Sequence, residues 1–207
     1  GHGDETDVLT GRVRKRTCVA LVLTAAQALG VALGGQELGC GNGRDAVFFA
    51  RSGMNITALD LSEQAISELQ ARNIKNAVFR CEDFVNTEVH QPEQFHYTYS
   101  RFTIHSINQN QEQVLLQRVI QTLKPGGKFF IEVRGIHDPL YGKGQALERN
   151  AFFYDFHYRR FIVLDELTES LIRCGYRVDY AEERTGFAPY GDSDPQVIRV
   201  VATKPEE

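Results

Sequence analysis

Cysteine is scarce in this 207-residue sequence, and the four present (Cys18, Cys40, Cys81 and Cys174) are scattered, with no C-x-x-C spacing. That pattern excludes a disulfide framework and a structural zinc site, so the thiols are expected to be reduced, as in a cytoplasmic protein. Positive charge is not in excess either. The formal net charge is -4 and the pI about 5.9, so no global field draws the chain to nucleic acid or to an anionic membrane. No repeats or low-complexity tracts occur. No cluster of His, Cys or carboxylates has metal-ligand spacing, and no metal is expected. The expected partner is a small molecule, and the chain is expected to be a monomer or homodimer. A chain of this length buries enough core to fold as one domain without cross-links.

The residues "GHGDETD" do not begin with methionine and read as a processed end, so 1–11 are expected to be a tail outside the fold. The basic lead and apolar run of "GRVRKRTCVALVLTAAQALGVALGG" have the outline of a targeting segment. A glycine-rich turn begins within a few residues of the run's end, and cleavage there would remove the first strand of the fold. The run is therefore read as a helix packing on a sheet.

From there strands and helices alternate. A strand ends near Leu38, and a helix from about Arg44 to Ser52 stops at Gly53. "NITALD" is a strand ending in Asp60, after which Ser62 caps a helix with Ala65, Ile66 and Leu69 on one face. "NAVFRCED" and "FHYTYS" are further strands, and residues 111–123 form an amphipathic helix. "KPGG" turns the chain into the strand "KFFIEVR". Asp165 is expected to cap a last helix that Gly175 stops, and "YRVDYAE" and "QVIRVVATK" close the chain as an antiparallel pair. Residues 135–162 follow neither helical nor strand period. The expected fold is α/β: a doubly wound, Rossmann-like, seven-stranded sheet in a three-layer αβα sandwich, mostly parallel with an antiparallel C-terminal hairpin.

In such sheets ligands sit beyond the carboxyl ends of the strands, where strand order reverses. The turn there, "ELGCGNGRD", is G-x-G-x-G at Gly39, Gly41 and Gly43, whereas a dinucleotide fingerprint needs its third glycine one place later, where Arg44 stands. A pyrophosphate is therefore disfavoured, and with it an NAD-dependent dehydrogenase. A carboxylate such as Asp60, ending the next strand, can accept both hydroxyls of a ribose.

"ELGCGNGRD", "ALDLS", "CEDF" and "LKPGG" together resemble the class I S-adenosylmethionine-dependent methyltransferases, and within them the small-molecule branch that includes tellurite-resistance-type enzymes. The resemblance runs from about Gly35 onward. It implies one methyltransferase domain with a substrate-cap insertion at 135–163. It further implies S-adenosyl-L-methionine as cofactor and S-adenosyl-L-homocysteine as product. Glu37 would lie near the methionine moiety, and Gly39, Cys40, Gly41, Asn42 and Gly43 would let the cofactor lie on bare backbone. Asp60 with Leu61 would hold the ribose, and Glu82, Asp83 and Phe84 the adenine. Ser100 and Arg101 would flank the methyl group. The first strand departs from the family, with Gly34, Gly35 and Gln36 where Val, Ile or Leu is usual.

The acceptor is less legible. "YSRFTIHSI" replaces the acidic-or-Asn, Pro-Pro, aromatic motif of nucleobase amine methylation. His105 is the first candidate for a general base, or else it packs against the following helix. Arg101, Arg134 and His157 join it as candidate catalytic residues. Tyr141, Lys143, Tyr158, Arg159 and Arg160 are candidate substrate-binding residues, a basic and aromatic set suited to an anionic acceptor unless the arginines merely pair with surface carboxylates. O-methylation is the expected chemistry. The alternatives are a detoxifying methyltransferase acting on a thiol or chalcogen, which needs no base, and a non-catalytic domain that binds the cofactor.

Overall fold

The computed structural model describes residues 33–89 and 91–206. The expected N-terminal helix and the tail before it lie outside the described residues. Strand β1 (Gly34–Leu38) leads to α1 (Arg44–Arg51), β2 (Asn55–Asp60), α2 (Glu63–Ala71) and β3 (Ala77–Cys81). Then come β4 (Phe95–Arg101), a 3-10 turn (Ile104–Ser106), α3 (Gln109–Thr122) and β5 (Leu123–Arg134). After β5 the chain makes β6 (Gln145–Glu148), β7 (Ala151–Tyr154) and β8 (His157–Arg160), then α4 (Leu164–Arg173), β9 (Arg177–Arg184) and β10 (Val197–Thr203).

The main sheet has the order β3-β2-β1-β4-β5-β10-β9, parallel throughout except β10, which runs antiparallel to both neighbours. Order reverses between β1 and β4, so the switch point lies between Leu38 and Ser100, which are register partners. One face carries α1 and α2 over Phe49, Ile66, Leu69 and Tyr99. The other carries α3 and α4 over Leu115, Leu116, Val119, Phe129, Leu167 and Leu171. Each such buried side chain contributes about 1.5–3 kcal/mol.

Helix starts follow their sequence signals with one exception. Ser62 accepts from the Ala65 amide at 3.3 Å, and Asn108 with Gln111 forms a reciprocal capping box on α3. Asp165 lies inside the first turn of α4, whose N-cap is Val163 with no side-chain hydrogen bond. There the carboxylate complements the positive end of the helix dipole without capping an amide. The KPGG segment is also not a turn outside the sheet: β5 starts at Leu123 and runs through it, with a register shift opposite Phe95 and Tyr97.

The residues read as irregular fold into a second antiparallel sheet, β6-β7-β8. Its strands are four residues each, too short to display a period. The β7–β8 hairpin turns on Asp155 and Phe156, both left-handed (φ 51° and 59°). A two-residue loop with two positive φ values is the hairpin geometry usually coded by Asn-Gly or Asp-Gly, and Asp-Phe conceals it. The small sheet is fastened beside the end of β5. Gly135 bridges Ile162, and Arg160 donates to the Ile107 carbonyl at 2.9 Å and pairs with buried Glu112 of α3.

The anomalous first strand has a packing explanation. A Cβ on Gly35 would stand 2.0 Å from the Tyr97 ring, so the glycine admits that ring from β4. Gln36 is fully buried, and its amide donates to Thr98 Oγ1 at 2.9 Å and Thr122 Oγ1 at 3.2 Å, joining β1 to β4 and α3. Gly35→Ala is expected to lower unfolding free energy by about 1–3 kcal/mol through overpacking, with Tyr97→Leu in the same chain recovering part of the loss. An unchanged urea midpoint in the single variant would contradict this explanation.

Candidate active site

The turn after β1 is held by the carboxylate at the end of β2. The Gly41 amide donates to Asp60 Oδ2 at 2.7 Å, and the Ser62 amide donates to Asp60 Oδ1 at 2.9 Å. Gly39, Gly41 and Gly43 all have positive φ, but for different neighbours. A Cβ on Gly39 would lie 2.5 Å from Thr103, and one on Gly43 2.5 Å from Leu69, so those glycines admit packing side chains. At Gly41 a Cβ would have nothing within 4 Å. That face of the turn is bare backbone open to a ligand. Asn42 is exposed and accepts from the Arg44 amide at 3.2 Å, while the Cys40 thiol is buried, which pushes its pKa up.

Six buried side-chain nitrogen or oxygen atoms have no hydrogen-bond partner among the described residues. Four of them, Glu37 Oε2, Ser100 Oγ, His105 Nδ1 and Glu183 Oε1, lie at or just past the carboxyl ends of β1, β4 and β9. A buried orphan costs roughly 1–3 kcal/mol, so four along one edge mark where a polar ligand belongs. Burial, with Asp45 and Asp60 nearby, holds the Glu37 carboxyl well above the usual carboxylate range. Such a group takes a cation such as an ammonium readily. Asp60 uses one acceptor site on each oxygen and keeps others for hydroxyls. Leu61, beside it, is 66% exposed and gives an apolar surface. At β3, Asp83 accepts from the Val85 amide at 2.9 Å and from Asn86 at 2.7 Å; Glu82 is held by Thr87 and Arg80, and Phe84 is core. These residues fit an amino-acid-bearing nucleoside: a carboxyl seeking a cation, an open glycine face, a spare carboxylate and an exposed apolar side chain.

The acceptor side begins at Phe102, a non-glycine residue with φ 53°. Two guanidiniums lie over its ring, Arg101 at 4.9 Å and Arg134 at 5.3 Å, and the His105 ring is 6.3 Å from it. Arg101 is held from below by Glu132 at 2.8 Å and Asp45 at 3.7 Å. Arg134 is held by buried Asp138 at 2.5 Å. Burial together with Arg134, Arg159 and Arg160 pushes the His105 pKa down to about 4.

The small sheet sorts the remaining candidates. Arg160 is buried and committed to Glu112 and Ile107. Arg159 donates to the Tyr154 carbonyl at 2.8 Å, stacks over that ring, and has no carboxylate partner among the described residues. Tyr158 donates to Glu148 at 2.6 Å, and Tyr141 donates to Asn150 at 3.0 Å while packing on Phe152 and Phe161. Lys143 and His157 are exposed, with His157 Nδ1 against the Asp155 carbonyl in the β7–β8 turn. His105, Arg134 and Arg159 are thus brought together, while His157, at the start of β8, and Lys143, in the loop before β6, stand exposed and apart. Glu183 was not singled out by the sequence. It lies in an exposed, charge-rich strand, and nothing but the fold turns it inward against Gly135.

Residues 36–127 match the family described as Methyltransferase domain. Phosphoethanolamine N-methyltransferase 1 of Triticum aestivum is 29% identical over 105 residues, 49% of this chain and 21% of that protein. The chain thus spans about a fifth of that relative's length. Among solved structures, an S-adenosylmethionine-dependent methyltransferase of Methanosarcina mazei superposes with TM-score 0.74 at 19% identity, covering 85% of this chain and 94% of that one. The 1,6-didemethyltoxoflavin-N1-methyltransferase of Burkholderia thailandensis, solved with S-adenosylhomocysteine bound, gives TM-score 0.69 at 21% identity over 98% and 83% of the two chains. Residues 36–127 thus match a methyltransferase domain, and the strand order with the glycine turn at its switch point gives the chain the fold of S-adenosylmethionine-dependent methyltransferases.

Proposed function

We propose that the chain transfers a methyl group from S-adenosylmethionine to a small acceptor bearing one anionic group, with oxygen as the favoured accepting atom. The observation that carries the proposal is the row of four orphaned buried polar atoms along the carboxyl edge. When bound, the cofactor supplies an electrophilic methyl group on a cationic sulfur. Glu37 and Ser100 would hold its methionine part, Asp60 with Leu61 its ribose, and Asp83 its adenine end. The chain's own work is then alignment and exclusion of water, for which the β6–β8 sheet beside β5 is placed to serve as a cap.

Charge matching supports a single anionic group. Arg134 is matched by Asp138 and Arg160 by Glu112, while Arg101 shares Glu132 and Asp45. Arg159 is left with one uncompensated charge beside His105, which suits a monoanion such as a carboxylate. The same guanidiniums favour oxygen over a protonated amine. A cationic acceptor would be repelled by them, whereas negative charge developing on oxygen is stabilised. The wheat relative's name supports an anionic acceptor but puts the methyl group on nitrogen, so a neutral amine on an anionic molecule is the second reading. His105 then acts as an uncharged hydrogen-bonding group. With a pKa near 4 it takes up a proton poorly.

Calorimetric titration is expected to give binding of S-adenosylmethionine and S-adenosylhomocysteine but not of NAD; binding of NAD alone would overturn the proposal. Asp60→Ala should weaken cofactor binding by about 1–3 kcal/mol, and unchanged affinity would refute its ribose role. Arg159→Met should raise KM for carboxylate acceptors about tenfold or more while leaving neutral analogues unaffected, since a charge-assisted hydrogen bond contributes roughly 1.5–3 kcal/mol. The His105 shift also predicts a stability profile. Its folded pKa lies below the ordinary 6.5, so the unfolded chain binds the proton first and stability falls as pH drops from about 6.5 towards about 4. The loss should reach about 3 kcal/mol, and chemical denaturation of His105→Asn should show it removed from the difference between the two chains.

A further inference from the structure

A methyl acceptor that arrives as a neutral hydroxyl must lose a proton, and His105, Arg101 and Arg134 around Phe102 provide no good acceptor for it. His105 is suppressed, and Arg101 and Arg134 cannot take up a proton. Among the described residues, a further imidazole stands at this edge. His137 follows β5 by three residues, and its Nδ1 lies 2.9 Å from Glu183 Oε2 of β9. The histidine side chain is 62% exposed and that of the glutamate 10% exposed, so a fixed carboxylate reaches up to an accessible ring. A carboxylate oxygen accepts, so the shared hydrogen sits on Nδ1 and Nε2 keeps its lone pair. Among the described residues Nε2 has no hydrogen-bond partner.

Room for the carboxylate exists only because residue 135 is glycine. A Cβ there would lie 2.2 Å from Glu183 Oε1 and 3.0 Å from Ile198. The other side of the dyad is the Arg134–Asp138 pair, whose residues flank His137 in sequence and fix the chain on either side of it. Asp138 also accepts from the Leu140 amide at 2.8 Å, so the loop carrying His137 is braced.

We propose that His137, oriented by Glu183, is the general base of this site, accepting the proton of a hydroxyl acceptor at Nε2. This rests on the methyltransferase reading. As the acceptor oxygen bonds to the methyl carbon, the carbon–sulfur bond breaks and its electron pair stays on sulfur, which becomes a neutral thioether. The hydroxyl proton passes to Nε2, giving an imidazolium beside the Glu183 carboxylate, and then leaves to water. Glu183 is a positioning residue that selects the tautomer and stabilises the imidazolium.

Two readouts test this. Nitrogen-15 NMR of the full chain labelled at histidine, with His137→Gln for assignment, should show His137 protonated at Nδ1 and unprotonated at Nε2. Glu183→Gln should mix the tautomers, and Gly135→Ala, which displaces the carboxylate, should do the same. The opposite tautomer in the unaltered chain, or no change in either variant, overturns the proposal. For turnover, His137→Gln should lower kcat on hydroxyl acceptors about 100-fold or more, while transfer to thiolates stays within about twofold. Equal kcat on hydroxyls would also overturn it. The tautomer is read without acceptor or cofactor, so its failure is distinct from failure of the methyltransferase reading, which would appear as absence of S-adenosylmethionine binding by the unaltered chain.

Discussion

The buried carboxylate of Glu132 is the fixed point beneath the site. It is 1% exposed, stands on β5, and accepts from Arg101 Nε at 2.8 Å and from Arg199 at 2.6 and 3.1 Å. Through Arg101 it is joined to Asp45 of α1, which also receives the Tyr99 hydroxyl at 3.2 Å and Arg44 at 2.9 Å. One acid therefore ties β4, β5, β10 and the start of α1 together at the edge where ligands bind. Burial pushes the Glu132 carboxyl up, and the Arg199 guanidinium pulls it back. An ion set of this kind contributes little net stability, because desolvation offsets most of the attraction, but removing one member leaves a buried charge unmatched. Its consequence is geometric: Arg101 cannot swing freely, and the ring it stacks on is placed with it. Phe187, packed 4.0 Å from Arg199 and 4.4 Å from Arg184, carries the same anchoring into the loop before β10.

What the sequence made legible was whatever repeats a period over a long enough element. The alternation of β1 to β5 with α1, α2 and α3, the closing hairpin and the carboxylates at strand ends all follow from patterns of several residues. The β6–β8 sheet did not, because four-residue strands with charged and aromatic side chains on both faces have no readable alternation, and a turn coded by Asp155-Phe156 lacks glycine. The roles of the arginines were only half legible. Their number suggested an anion, but which of them has a carboxylate beside it depends on contacts across 48 residues for Arg160 with Glu112 and four for Arg134 with Asp138. Sequence spacing could reveal the second and not the first.

The glycine turn and the first strand illustrate a related limit. Gly35 looked like a defect in a buried strand, yet its missing side chain is filled by Tyr97. Gly39 and Gly43 looked like ligand glycines, yet Thr103 and Leu69 occupy their spaces. Of the three glycines of the turn, Gly41 is the one that combines a left-handed backbone with an open face. Identical residue types three times over thus serve two purposes, and only the neighbours distinguish them.

Phe102 joins the two halves of the site. A phenylalanine at φ 53° is strained by about 1–3 kcal/mol, a cost held in place by its surroundings. The strained residue turns the chain so that Thr103 can donate to the Leu38 carbonyl at 2.8 Å and fill the space over Gly39. Its own ring meanwhile is contacted by Arg101 and Arg134, and two cation–π contacts of about 0.5–2 kcal/mol each are comparable to the strain. The glycine turn, the Glu132 network and the arginines around His105 are therefore mechanically one unit. A smaller side chain at 102 would relieve one stack but release both guanidiniums, so the position links cofactor geometry to acceptor charge without Phe102 touching the chemistry itself.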